Sequence, residues 1–268
     1  MIKNIFFKII NLIDWQLRKK NFDDIPNIDT ANVLNSLEKN SYFIYKNFLN
    51  FNEINKIRKK LQQYSKAQAS SESNTIYYRS RTGVSIDQNY IKVYVENFIV
   101  QNVMKKFFRR PVKLEKCTYE LKKGIKEKKN ILGDHCYHID RGYGVLKFCL
   151  FLKDIDIQNG PFCIVHGSHK WSANIRNFCY KIFNFIIEGK NDKISHSKIH
   201  NYVNTKIEKK LVGKAGDLLI VNTGAFHRAT GMKVNATREV FWIYTKFPSP
   251  LSLLKKKLIN LCQNLKLV

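Results

Sequence analysis

Leu114-Glu115-Lys116-Cys117-Thr118-Tyr119-Glu120-Leu121 is the stretch at which the pattern of the chain changes. Before it, apolar residues recur mainly at helical intervals; here and beyond, the residues read as strands. Val145–Lys153, Pro161–His166, Asp217–Asn222 and Thr237–Phe247 are strand-like runs rich in β-branched and aromatic residues. Glycines punctuate them at 133, 142, 144, 160, 167, 216 and 224. Short strands joined by glycine-containing turns predict a barrel or jelly roll.

Upstream, Ile2, Ile5, Phe6, Ile9, Ile13 and Leu17 fall on one face of a basic amphipathic helix. Asp29 or Thr30 is the expected cap of a second helix through Leu37, and Asn52 that of a third, Glu53 to about Tyr64. Ser65–Ser73 reads as a polar loop and Tyr94–Phe108 as a further helix stopped before Pro111. The expected organisation is one domain over 1–268. It has a mostly helical part over 1–113, a core over 114–247 with an insertion over 171–210, and an amphipathic helix in 248–268. Asn177–Glu188 is a helical stretch of that insertion, whose length suits a lid or substrate wall.

The chain has 268 residues, 44% of them hydrophobic, enough for a sizeable core. Its 47 basic and 21 acidic residues give a net charge of +26, which suits nucleic acid, an anionic membrane surface or an anionic small molecule. The joint richness in Lys, Asn and Ile also fits an AT-rich coding bias, under which much of the lysine is solvated surface. Six cysteines show neither C-x-x-C nor zinc-like spacing, so a reduced, cytoplasmic protein is expected. No stretch reads as a membrane span or as a secretory signal.

The chemistry centres on His138-Ile139-Asp140, with His227 far downstream and Arg238 soon after it. Two imidazoles and one carboxylate can occupy one face of an octahedral metal. Three positions then stay open, as a non-haem Fe(II) site needs for a co-substrate and O₂ together. A guanidinium a short strand beyond the last ligand suits a dicarboxylate co-substrate, whose carboxylate it can grip with both arms of its fork. A hydrogen-bonded polar pair at a strand end is the competing reading of His138 and Asp140 taken alone. A zinc site lacks a suitably spaced fourth nitrogen or sulfur ligand.

Between these residues stand Leu146 to Asp154, Asn159-Gly160-Pro161-Phe162, Val165-His166-Gly167-Ser168-His169-Lys170 and Gly213-Lys214-Ala215-Gly216-Asp217-Leu218. In this order, over about residues 114–247, the chain resembles the phytanoyl-CoA dioxygenase family of Fe(II)/2-oxoglutarate oxygenases. It departs at His166, where the family usually has Pro, and at Ala229, where some members carry a hydroxyl that helps hold the co-substrate. The resemblance implies a fold that is mainly β with flanking helices, around a double-stranded β-helix (jelly roll, cupin-like) core. It implies Fe(II) held by His138, Asp140 and His227, and 2-oxoglutarate reaching Arg238, with O₂ as second co-substrate. The implied reaction is hydroxylation of a C–H bond with release of succinate and CO₂. Related halogenases have Gly or Ala at the position of Asp140, so the carboxylate favours hydroxylation.

Further candidates follow from position. Lys147 and Cys149 share a strand face and are co-substrate candidates if that face is interior, with Lys147 as a secondary acid-binding group. Arg79, Arg81 and Arg141 are candidates for an anionic substrate group, and Arg228 stands beside a ligand at the site mouth. His135 and His169 read as structural. The expected partner is an anionic or lipid- or glycan-linked small molecule, with a peripheral anionic membrane surface as a further option and no obligate protein partner. The alternatives are a non-catalytic binding protein on an oxygenase fold, and a nucleic-acid binder, which would want exposed aromatics among its basic residues.

Overall fold

The computed structural model describes residues 28–64, 70–72, 75–79, 97–108, 113–124, 135–138, 140, 146–169 and 208–246. Among them the order is α1 (Ile28–Asn40), β1 (Tyr42–Tyr45), α2 (Phe51–Tyr64), β2 (Ser70–Glu72), β3 (Thr75–Arg79) and α3 (Phe98–Phe108). There follow β4 (Lys113–Gly124), β5 (Leu146–Phe151), β6 (Phe162–Val165), β7 (Glu208–Leu211), β8 (Leu218–Asn222), β9 (His227–Ala229) and β10 (Thr237–Lys246). They form two antiparallel sheets, one of seven strands in the order β1-β8-β5-β10-β4-β3-β2 and one of three in the order β7-β6-β9. The fold is a double-stranded β-helix with helices on its flank.

A period of two sorts the side chains of the large sheet. Cys117 and Tyr119 of β4, Leu146, Phe148 and Leu150 of β5, Leu218 and Ile220 of β8, and Phe241 and Ile243 of β10 join one buried cluster. Val33, Leu34 and Leu37 of α1, Ile54, Ile57 and Leu61 of α2, and Val100, Val103 and Phe107 of α3 pack into the same cluster. The intervening residues Cys149, Phe151, Leu219, Val221, Val240 and Trp242 form a second cluster with Ile164 of β6 and Leu211 of β7. The first face is thus covered by helices and the second by the small sheet. The large-sheet residues that end up at the site belong to that second, inward face.

Polar contacts fix the helices onto this frame. Glu239, 2% exposed, accepts from Arg58 of α2 at 2.9 Å and from the Tyr119 hydroxyl at 2.9 Å, so the buried carboxylate keeps its charge paired. Gly216 has φ +94°, and a Cβ there would stand 2.2 Å from the Leu49 carbonyl oxygen, so the turn before β8 requires glycine. Next to it, buried Asp217 accepts from the backbone N–H groups of Asn47 and Lys214 and pairs with Lys46 at 2.7 Å.

Several local expectations are corrected. Among its described residues the part expected to be mostly helical, 1–113, holds α1, α2 and α3 together with three short strands at the edges of the large sheet; of these, Ser70–Glu72 lies within the expected loop. Asn50, not Asn52, caps α2: its side chain accepts from Glu53 N while Glu53 accepts from Asn50 N, a reciprocal capping box. Helix α1 already begins at Ile28, which puts Thr30 in its first turn rather than before it. Asn97 caps α3 through Ile99 N, so that helix starts later than Tyr94. The insertion over 171–210 ends sooner, because Glu208–Lys210 belong to β7. The helices expected near either terminus, Asn177–Glu188, Arg81 and Arg141 lie outside the described residues.

Candidate active site

His138 and His227 meet across an isolated antiparallel bridge and exchange both backbone hydrogen bonds, at 3.0 and 2.9 Å. Asp140 N donates to the Thr223 carbonyl at 3.1 Å, so backbone contacts place both members of the H-x-D pair. His138 therefore sits in a bridged segment rather than in a regular strand. The Nδ1 of His138 lies 2.9 Å from the Cys136 carbonyl oxygen, and that of His227 lies 3.0 Å from the Ala225 carbonyl oxygen. A carbonyl only accepts, so each Nδ1 carries the proton and each Nε2 keeps its lone pair. Burial, reinforced by His138, pushes the His227 imidazole down to about 3, which keeps it neutral. Burial would raise the Asp140 carboxyl, but His227 and Lys147 outweigh it and hold the group well below the usual carboxylate range.

Two imidazole nitrogens and one carboxylate oxygen lie within 4.8 Å of one another. Donors about 2.1 Å from a metal at right angles stand roughly 3 Å apart, so a modest contraction would close this set on an ion. The donor set fits a divalent first-row metal with open positions. Asp140 also divides its oxygens: Oδ1 is 3.7 Å from His227 Nε2, and Oδ2 is 2.7 Å from the Lys147 ammonium. One oxygen thus faces the imidazole while the other is engaged by Lys147.

Two of the motifs between the ligands turn out to be supports for this geometry. Ser168 donates to the Val165 carbonyl at 2.7 Å and accepts from Phe226 N at 2.8 Å, fixing the residue before His227. The His227 ring stacks on Phe162 with centroids 5.0 Å apart. His169, read as structural, is buried with its ring against the Ser41 hydroxyl at the start of β1. Asn159 binds back to Asp156 N and to the Asp154 carbonyl, which shapes the turn into Gly160. The Gly160 carbonyl accepts from Nη1 of Arg238, and a Cβ on Gly160 would stand 2.5 Å from Met232.

These residues surround a cavity of about 120 Å³ lined by Glu120, Lys122, His138, Asp140, Lys147, Phe162, His227, Ala229, Arg238, Trp242 and Tyr244. His138, Asp140 and His227 converge within it, and Arg238 lines the same cavity. Lys147 is on the interior face and lines it, whereas Cys149, on the same strand face, packs into the inner apolar cluster and is not among the lining residues. Arg79 ends β3, paired in register with Glu120. Arg228 is committed elsewhere: it donates twice to Glu208, at 2.8 and 2.9 Å, and lies over the Tyr137 ring. Glu120, Lys122, Trp242 and Tyr244 were not expected at the site. Nothing in the sequence marked the first two, since charged strand residues ordinarily face water; their register on β10 places them inside.

The profile of the family described as phytanoyl-CoA dioxygenase (PhyH) matches residues 37–240. The chain belongs to that family. Among solved structures it is similar to the epimerase SnoN in complex with Fe³⁺, α-ketoglutarate and nogalamycin RO, with TM-score 0.58 and 12% identity over 82% of this chain and 84% of that one. It is also similar to EctD from S. alaskensis with bound Fe, with TM-score 0.55 and 12% identity over 87% and 81%. HygX from Streptomyces hygroscopicus with nickel, 2-oxoglutarate and hygromycin B gives TM-score 0.52 and 13% identity over 80% and 86%. At such identities the likeness is one of fold. No curated protein matches the sequence. Among the described residues of this phytanoyl-CoA dioxygenase family member, no helix is long and apolar enough to cross a membrane.

Proposed function

We propose that this chain is an Fe(II)/2-oxoglutarate-dependent dioxygenase that hydroxylates a C–H bond of a small anionic or lipid- or glycan-linked metabolite. The observation that carries the reading is the joint placement, in one cavity, of the His138–Asp140–His227 donor set and Arg238. Fe(II) with 2-oxoglutarate and O₂ would supply the oxidising power for C–H hydroxylation, with succinate and CO₂ as co-products. The protein's part is placement. His138 and His227 would offer Nε2, with their Nδ1–H groups held by backbone carbonyls. Asp140 would offer one oxygen while Lys147 keeps the other engaged. Arg238 would receive the distal carboxylate, and Phe162, Trp242 and Tyr244 would keep water from the reacting end.

The net charge of +26 and the lysines of the cavity support an anionic substrate. Peripheral binding to an anionic membrane is part of the proposal, resting on the basic amphipathic pattern at both ends of the sequence. The test is succinate release from the Fe(II)-loaded protein in air, with pools of anionic metabolites and lipid- or glycan-linked acids. The expected outcome is substrate-stimulated succinate and a product heavier by one oxygen atom. Protein that binds iron and 2-oxoglutarate yet yields no succinate with any pool would favour the non-catalytic reading. Loss of liposome flotation on deleting residues 1–20 would support the membrane part, and a salt-sensitive shift with nucleic acid alone would contradict it.

A further inference from the structure

The three helices over the outer face of the large sheet present charge of a single sign. Among the described side chains of α1, α2 and α3, the exposed charged ones are Lys39, Lys56, Lys59, Lys60 and Lys105, with no acid among them. The other exposed positions are amides and one aromatic ring, Phe51. The helical acids Glu38 and Glu53 are half-buried, and Glu53 is turned back to Asn50 N in the helix cap. Arg58 of the same layer is directed inward to Glu239. All three helices pack into one core cluster, and α1 touches α3, so their outward lysines share one side of the molecule.

A net charge of +26 would say little about a partner if lysines and acids alternated over the whole surface. Elsewhere they do mix: the turn after β5 exposes Asp154 and Asp156 beside Lys153, and Asp154 pairs with Lys214 at 2.9 Å. The helical layer is sorted instead. Lys56 and Lys59 stand three apart on α2, a spacing at which like charges repel, and an anionic surface relieves that repulsion. Phe51, 72% exposed, projects at the first turn of the same helix. A ring held in water gains by entering an apolar layer.

We propose that the outer face of α1, α2 and α3 is a docking surface for an anionic lipid bilayer, with the lysines at the headgroups and Phe51 as the inserted apolar residue. This rests on the membrane part of the function proposed above and gives it a site independent of the chain ends. Ammonium groups act on such a surface as point charges, and one ring beside them reaches the interface. A nucleic acid would be better met by guanidinium forks and several stacking rings. Among the described residues this face exposes no arginine and one ring.

The experiment floats the full chain with phosphatidylcholine vesicles, with and without phosphatidylserine. The parent is expected to bind only the vesicles with phosphatidylserine, and salt to release most of it. Lys56→Glu/Lys59→Glu should weaken binding by about tenfold or more, since each lysine at such a surface contributes about fivefold. Lys209→Glu/Lys210→Glu, the same charge change on exposed β7 of the small sheet, should stay within about twofold of the parent. Phe51→Ser should weaken binding several-fold at any salt concentration, and Phe51→Trp should restore it. Equal losses from the two charge-reversed pairs would overturn the inference, because net charge and not this face would then be felt. So would parental binding by both Lys56→Glu/Lys59→Glu and Phe51→Ser, or a face that binds oligonucleotides and no vesicle. Should Lys56→Glu/Lys59→Glu fail to fold, Lys39→Glu/Lys105→Glu on the other two helices decides by the same criterion. A parent that binds no vesicle removes the membrane reading itself. A parent whose binding falls on deleting residues 1–20, and is indifferent to the helical variants, removes only this face.

Discussion

The seven-stranded sheet and the three-stranded sheet hold the same cavity by different means. Strands β4 and β10 pair over ten registered positions, and their outer face is sealed by three helices. The small sheet has strands of three or four residues, yet it carries His227 and, through a single bridge, positions His138. The long ladder gains its rigidity from cooperative hydrogen bonding and burial. The short one depends on individual side-chain bonds, such as those of Ser168 to the segment just before His227. Global stability therefore resides mainly in the large sheet, and the precision of the metal-ligand set in the small one.

Phe148→Ala should give the largest effect, because the ring is fully buried where the large sheet meets the helices. Chemical denaturation should show a loss of about 3–5 kcal/mol, while the folded fraction keeps its Fe(II) affinity. A variant with parental stability, or with impaired iron binding at full folding, would blur the division between the sheets.

Acid should act next, and through the site. His227 has a folded value depressed to about 3 against an ordinary 6.5. The unfolded chain therefore binds more protons between these values, so the metal-free protein is most stable above about pH 6.5 and loses stability as pH falls towards 3. At pH 5 this one group accounts for about 2 kcal/mol. Denaturant midpoints across pH should show that decline, and His227→Gln should flatten it.

Ser168→Ala should give the smallest change in stability, about 1 kcal/mol. It should nevertheless weaken Fe(II) several-fold in a metal titration, because Phe226, the neighbour of His227, loses its support. An unchanged iron affinity would show that the His138–His227 bridge alone fixes the ligand.

Strands β4, β5, β6, β8 and β10 are legible in the sequence as runs rich in apolar, β-branched and aromatic residues, whereas Glu208–Leu211 and His227–Ala229 are too short and polar to carry a strand signal. Tyr42–Tyr45 is four consecutive bulky residues without alternation, and Ser70–Glu72 is a polar edge segment, so neither carries a strand period. The cap at Asn50 was readable as Asn50-Phe51-Asn52-Glu53, since Glu53 lies three positions on, while Asn52 has no acid at that distance. The donor set was legible because intervening motifs bracket it; Ser168 supports the segment before His227 and Asn159-Gly160 supports Arg238, while Gly216 and Asp217 fix the turn before β8. Lys122 and Glu120 were not, because charged strand residues ordinarily face water. Only their register opposite Arg238 and Val240 places them inside.

The measurement that bears most directly on the central claim is anaerobic titration of the metal-free protein with Fe(II) and 2-oxoglutarate, in the parent and in His138→Ala and Arg238→Ala. The prediction is a visible charge-transfer band in the parent, absent without His138 and requiring more 2-oxoglutarate without Arg238. A folded parent that takes up Fe(II) without producing the band, or a band indifferent to His138, would contradict the assignment of this cavity to iron and 2-oxoglutarate.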